Sequence, residues 1–219
     1  MNNKEGPVNA ESASEYGYGD DAPAHTHAYL WPTVEELLEE QPSKNIFDLG
    51  CGNGAFAKRI ASLGFEITGV DPSAAGIANA NRNACLTSDS TKMRLFEGSA
   101  YDPLYKLYGC FPCVVSLEVV EHVYYPRKFA RCIWELLEPG GVAIVSTPYH
   151  SYLKNLALSL SGKMDSHFTA LWDHGHIKFW SVKTLSTLFL EQGMVLEKVI
   201  RVGRFPTLAK SMIMVLRKK

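Results

Sequence analysis

The sequence predicts an α/β fold: a doubly wound, mostly parallel sheet of seven strands in a three-layer αβα sandwich, with a lid insertion. Three observations predict it. Short apolar runs alternate with helical stretches of roughly 10–15 residues, the pattern of βαβ units around a sheet covered on both faces. A glycine-rich turn, Gly50-Cys-Gly-Asn-Gly54, leaves the first apolar run and enters a helix. The chain of 219 residues is 46% hydrophobic and 21% charged. A chain of that size buries about 70% of its unfolded surface, enough for a single core with an appendage. Right-handed crossovers between successive units then give the doubly wound arrangement.

The elements follow in order. Residues 1–24 are rich in Asn, Glu, Ser, Gly and Ala and read as a loose arm, with Tyr16 and Tyr18 placed to close over a ligand. Thr33-Val-Glu-Glu36 has the form of a capping box and opens a helix over 34–40, which Pro42 stops. Asn45–Leu49 is a short buried strand, and 55–63 a helix ended by Gly64. A second strand covers 65–70. Pro72 and Ser73 start a helix running to about Ala84. Strands are expected at 93–97, 113–117 and 142–147, with a helix from Pro126 to near Glu138-Pro-Gly-Gly141 between the last two. Residues 148–180 break the rhythm and read as an insertion with helical turns over 153–160. A helix over 181–192 ends at Gly193, and 194–201 pairs with 212–216 as a final antiparallel hairpin.

Composition excludes several classes. Lys+Arg is 22 and Asp+Glu is 23, a net charge of -1, which argues against holding nucleic acid by bulk charge. Five scattered cysteines do not make a disulfide framework, and Cys110-Phe-Pro-Cys113 lacks the second pair of a zinc site. These thiols, the polar first residues and the lack of a long apolar run point to a cytoplasmic protein without a transmembrane segment.

The chemistry gathers where strands end. Ile46-Phe-Asp-Leu-Gly-Cys-Gly-Asn-Gly-Ala55 allows two cofactor readings. As G-x-G-x-x-A it matches a dinucleotide turn, and as D-x-G-x-G-x-G it matches an S-adenosylmethionine (SAM) loop. Asp48 favours the second, because an acid two residues before the first glycine orients the loop or the cofactor's amino group. Asp71 ends the second strand, where an acid takes both ribose hydroxyls. Ser99 and Ala100, after the third strand, are placed at the adenine edge. After the fourth strand comes Ser116-Leu-Glu-Val-Val-Glu-His-Val123. His122 there suits a general base, since an imidazole titrates near neutrality. His176, in His174-Gly-His-Ile-Lys-Phe-Trp180, lines the acceptor pocket, and the aromatics around it anchor the insertion to the core.

With Asp-Leu-Gly-Cys-Gly-Asn-Gly, Gly-Val-Asp, Glu-Val-Val-Glu-His and Leu-Glu-Pro-Gly-Gly141, the chain resembles the class I SAM-dependent methyltransferases. Its form is similar to the ubiquinone-biosynthesis O-methyltransferases and their small-molecule clan. The resemblance covers about 44–150 well and 170–219 loosely. It implies a Rossmann-like sheet of order 3-2-1-4-5-7-6 with the last strand antiparallel. It divides the chain into an arm and helix over 1–40 and a methyltransferase domain over 41–219, whose insertion at 148–180 covers the acceptor. It also implies SAM as cofactor, S-adenosylhomocysteine as product and a small-molecule acceptor methylated at oxygen, with no nucleic-acid partner. The cofactor-binding set is then Asp48, Gly50, Cys51, Gly52, Gly54, Asp71, Pro72, Ser99, Ala100 and Leu117. His122 and His176 are the catalytic candidates, and no metal ligand is assigned.

Alternatives stay open. If 118–122 is a helical turn, Glu118, Glu121 and His122 share one face and, with His174 or His176, could hold Mg²⁺. That set resembles metal-assisted O-methyltransferases, including those that act on the 2′-oxygen of RNA ends. A nicotinamide-dependent oxidoreductase and a SAM-binding module without catalysis are the other readings.

Overall fold

The computed structural model describes residues 26–84, 90–168, 170–172 and 175–219. The arm with Tyr16 and Tyr18, as well as His174, lies outside the described residues. In chain order the elements are α1 (His27–Glu39), β1 (Asn45–Leu49), α2 (Ala55–Ser62), β2 (Glu66–Asp71), α3 (Ala74–Ala84), β3 (Met93–Glu97), α4 (Leu104–Tyr108), β4 (Phe111–Leu117), α5 (Pro126–Leu136), β5 (Leu137–Pro148), α6 (Tyr152–Leu160), α7 (Met164–Phe168), α8 (Val182–Leu190), β6 (Met194–Val202) and β7 (Ser211–Lys218).

The seven strands form one sheet of order β3-β2-β1-β4-β5-β7-β6. β1 to β5 run parallel, and β7 lies antiparallel between β5 and β6. This is the expected order, with the last strand reversed. Strand alternation divides the core between the two faces. Phe47, Leu49, Val114 and Val145 face α5 and α8, with Phe129, Ile133 and Phe189 packed on them. Ile46, Val115, Ile144 and Ile213 face α1 and α2, with Leu30, Val34, Phe56 and Ile60.

Three boundaries differ from expectation. α1 begins at His27, so Thr33 sits inside the helix and caps nothing. Pro32 inside α1 removes one backbone bond, a loss of about 3 kcal/mol. Burial of Leu30 and the bond between Tyr29 Oη and Ser211 Oγ (3.2 Å) offset it, because the apolar stripe of Val34, Leu37 and Leu38 continues upstream through Leu30. A capping box does occur, but at Ser181 and Thr184, opening α8. α5 gives way directly to β5 at Leu137, four residues before the glycine pair ends. Lys218 Nζ donates to Trp134 O and Leu137 O at 2.8 and 2.6 Å, satisfying carbonyls at the end of α5. Arg217, next to it on β7, pairs with Glu197.

Candidate active site

At the carboxyl ends of β1 and β2 the chain makes a cradle. Gly50, Gly52 and Gly54 all have positive φ, at 88°, 56° and 75°. A Cβ on Gly50 would stand 2.4 Å from Val119 Cγ2, so only glycine fits there. Gly50 N donates to Val70 O at 2.8 Å, closing the turn against β2. Asp71 holds the cradle together: its Oδ2 accepts from Gly52 N and its Oδ1 from Ser73 N, each at 2.9 Å. Burial raises its pKa, and those two N–H groups counter part of the rise.

Asp48 lies beneath, 3% exposed, and its Oδ2 has no hydrogen-bond partner among the described residues. Burial, then the charge of Asp71, pushes its carboxyl up to about 7. An acid buried this way is suited to meet a positively charged ligand group. The Cys51 side chain is buried and packs toward Gly69, so that only its backbone lines the cradle. Pro72, half-buried, follows Asp71. Ser99 N donates to Asp102 Oδ2 at 2.7 Å, and Ser99 Oγ accepts from Tyr101 N at 3.2 Å, which makes 99–102 a tight turn with Ala100 half-buried at its side. Leu117 ends β4, half-buried, beside the same edge.

After β4 the backbone does not form the helical turn considered for 118–122. Glu118 has φ +56°, the left-handed region, at a cost of roughly 1–2 kcal/mol for a residue with a Cβ. Its carboxylate turns toward β5 and β7: Ser146 Oγ donates to Oε1 at 2.8 Å and Ser211 Oγ to Oε2 at 3.2 Å. Glu118 is therefore separated from Glu121 and His122 in use, although it stays close enough to raise the pKa of Glu121. Burial raises the Glu118 carboxyl to about 7.

Glu121 is 1% exposed. Its Oε2 accepts from Thr147 Oγ1 at 3.0 Å, while Oε1 has no hydrogen bond among the described residues and lies 3.9 Å from His176 Nε2. Burial lifts its pKa well above the carboxylate range. The 175–180 stretch is clamped beneath this turn. Ile177 N and Lys178 N both donate to Glu121 O at 3.0 Å, and Trp180 Nε1 donates to Val120 O at 3.1 Å. Trp180 is buried, as expected of an anchor.

The clamp sets His176 against His122, ring centroids 4.9 Å apart, with Trp172 5.4 Å from His176. His122 Nδ1 donates to Gly175 O at 3.2 Å, which makes Nε2 the basic nitrogen. Burial, then the neighbouring imidazoles, lowers the His176 pKa to about 4, so the ring is neutral at neutral pH. One donor atom each from Glu121, His122 and His176 lies within 4.8 Å of the others, a span that fits one divalent cation.

Sequence reasoning thus brought His122 and His176 together only in the metal alternative, and there it grouped Glu118 with the wrong neighbours. The bonds from Ile177 and Lys178 to Glu121 O, which make the meeting, are carried by backbone and leave no trace in residue type.

A family model described as a methyltransferase domain matches residues 23–199. The ubiquinone biosynthesis O-methyltransferase of Caulobacter sp. strain K31 is 35% identical over 127 residues, 58% of this chain and 48% of that one. The chain spans about half the length of the curated relatives it matches. Among solved structures, a protein from Pyrococcus horikoshii OT3 superposes with TM-score 0.69 at 18% identity, covering 92% of this chain and 95% of that one. The magnesium protoporphyrin IX methyltransferase from Synechocystis PCC 6803, solved with bound S-adenosylhomocysteine, gives TM-score 0.66 at 15% identity, covering 86% and 81%. The family match spans every strand up to β6 as well as the glycine turn, and it decides between the two cofactor readings of those glycines. The chain belongs to the methyltransferase domain family.

Proposed function

We propose that this protein transfers the methyl group of SAM to an oxygen of a small-molecule acceptor. The observation that carries this reading is the pairing, along one sheet edge, of the glycine cradle over Asp48 and Asp71 with the Glu121, His122 and His176 cluster. The cradle fits the cofactor: a Cβ would fill it at Gly50, and Asp48 offers a buried oxygen with no partner. Bound SAM supplies a methyl on a sulfonium: the acceptor oxygen forms the new C–O bond as the C–S bond breaks, leaving S-adenosylhomocysteine.

The chain's residues do the rest. Gly50 and Gly52 admit the methionine half, and Asp71 takes the ribose hydroxyls. Holding the acceptor oxygen in line with the methyl is orientation work, and the acceptor lies over the turn after β4. His122 Nε2 or the neutral His176 takes the hydroxyl proton, and Glu121 Oε1 lies 3.9 Å from His176 Nε2, beside the ring that receives it. The curated relatives named for O-methylation support oxygen as the accepting atom.

The test is an acceptor screen that detects S-adenosylhomocysteine. The expected result is turnover with a hydroxyl-bearing acceptor, and a fall in kcat of roughly tenfold or more for His176→Ala with SAM affinity unchanged. A folded protein that binds SAM and yields no S-adenosylhomocysteine with any acceptor would leave only the non-catalytic reading.

The Glu121, His122 and His176 cluster favours a second reading. Those residues would hold a divalent cation, which would polarise the acceptor oxygen and lower its pKa. EDTA separates the two readings. With an imidazole base, turnover survives chelation. Loss of turnover in EDTA, restored by Mg²⁺ or Mn²⁺, makes the three residues metal ligands.

A further inference from the structure

Between the 99–102 turn, α4 and α5 lies a cavity of about 300 Å³ that methyl transfer does not use. That is the low end of the volumes that hold small ligands, roughly 300–1,000 Å³. Among the residues that line it, Ala100 alone belongs to the cofactor set. Tyr101 and Tyr105 give it an aromatic wall. Tyr101 is held in place from behind: Tyr125 N donates to its Oη at 3.2 Å, and the two rings meet edge to face with centroids 5.7 Å apart. It still keeps 41% of its surface exposed, area that a planar ring can cover.

Charge selects the rest of the ligand. Lys128, Arg131 and Glu135 share one face of α5, at i, i+3 and i+7, and Lys106 joins them from α4. Arg131 Nε pairs with Glu135 Oε1 at 2.9 Å, so each offsets the other's charge. Lys106 and Lys128 are exposed and form no ion pair among the described residues. Their ammonium groups lie only over tyrosine rings, 5.8 Å from the Tyr105 centroid and 4.9 Å from that of Tyr125. Two ammonium groups without a carboxylate, in a cavity walled by tyrosine, match an anion joined to a planar ring. A bare anion would leave the Tyr101 wall uncovered, and a neutral ring would leave the lysines unmatched. Asp102, at the same wall, accepts from Ser99 N through Oδ2, which leaves Oδ1 for a hydroxyl donor. That carboxylate favours a ring and an anion joined by a hydroxylated sugar over an aromatic acid. We propose that this cavity binds a nucleoside monophosphate, with the base against Tyr101, the ribose hydroxyls on Asp102 and the phosphate on Lys106 and Lys128. Stacking on tyrosine accepts any base, so the site selects the nucleotide form rather than one base.

Titration calorimetry of the full chain with AMP, GMP, CMP and UMP tests this, with S-adenosylhomocysteine held at saturation to keep the glycine cradle filled. At least one nucleotide should bind, roughly tenfold more tightly than its nucleoside or ribose 5-phosphate. Lys106→Ala/Lys128→Ala and Tyr101→Leu remove the two contributions separately, and each should weaken binding about tenfold or more. Both lysines are exposed, so the lysine variant carries the test if Tyr101→Leu does not fold. Failure of all four nucleotides to bind overturns the proposal. So does ribose 5-phosphate binding as tightly as the nucleotides, which would make the cavity an anion site blind to the ring. Binding that vanishes as S-adenosylhomocysteine is raised to saturation also overturns it, since the nucleotide would then occupy the cradle. The readout is binding rather than turnover, so a failure here leaves the methyl-transfer reading as it stands.

Discussion

Asp71 fastens the loop, because its two oxygens accept Gly52 N and Ser73 N, and under the proposed function it also takes the ribose hydroxyls. Asp71→Ala removes charge-assisted hydrogen bonds worth roughly 1.5–3 kcal/mol each. Calorimetry should show SAM affinity falling about tenfold or more, and unchanged affinity in a folded variant would reject the ribose assignment. Asp48 makes a prediction about pH. Its carboxyl rises from 3.8 to about 7 on folding, so the folded state favours the protonated form. Its contribution is therefore whole below its unfolded value and is lost as pH rises through about 7. Without ligand, stability should decline between those limits. Asp48→Asn should flatten the decline and leave the protein more stable above neutrality, by on the order of 3 kcal/mol in urea titrations. Both acids were legible in the sequence because Asp48 stands two residues before the first glycine of the turn and Asp71 ends a strand beside Pro72. Glu118 was not, since nothing in Leu-Glu-Val-Val announces a left-handed glutamate, and that conformation is what parts it from Glu121 and His122.

At the scale of elements, helix starts give the sharpest comparison. Ser181 caps α8 with a bond to Thr184 N, whereas Thr33 sits inside α1 without a capping role. Ser181→Ala should cost about 1 kcal/mol of stability in chemical denaturation, and Thr33→Ala should cost far less. Equal losses would show that the α1 boundary lies at Thr33 after all. β1 to β4 were readable because each is a short apolar run followed by a turn rich in glycine or acid. α1 was misread because Pro32 followed by Thr33 and Glu36 imitates a helix start, while the burial of Leu30 that continues the helix upstream is a tertiary effect. The brief α7 left no period long enough to detect, and the route that brings His176 beside His122 depends on the backbone bonds of Ile177 and Lys178 to Glu121 O, 56 and 57 residues away in sequence.

For the whole molecule, α1 begins at His27, so deleting residues 1–20 leaves every described element intact. The thermal midpoint should hardly move. Turnover should fall roughly tenfold or more if the arm helps exclude water and align the acceptor, and full turnover in the truncated protein would leave the insertion as the sole lid. A different consequence follows from the place of β7. Among the described residues β6 joins the sheet only through β7, so the C-terminal hairpin docks as one piece on the edge of β5. Ser211, the first residue of β7, is also what Tyr29 and Glu118 both bond. Docking of that hairpin is a long-range event, and such contacts form late when a chain refolds. The parallel half of the sheet can therefore be regained while Glu118 has Ser146 but still lacks its second partner, Ser211. Recovery from denaturant should run in two stages, backbone ellipticity first and the finished turn after β4 second. The catalytic edge becomes competent only when the two distant ends of the described chain have found each other.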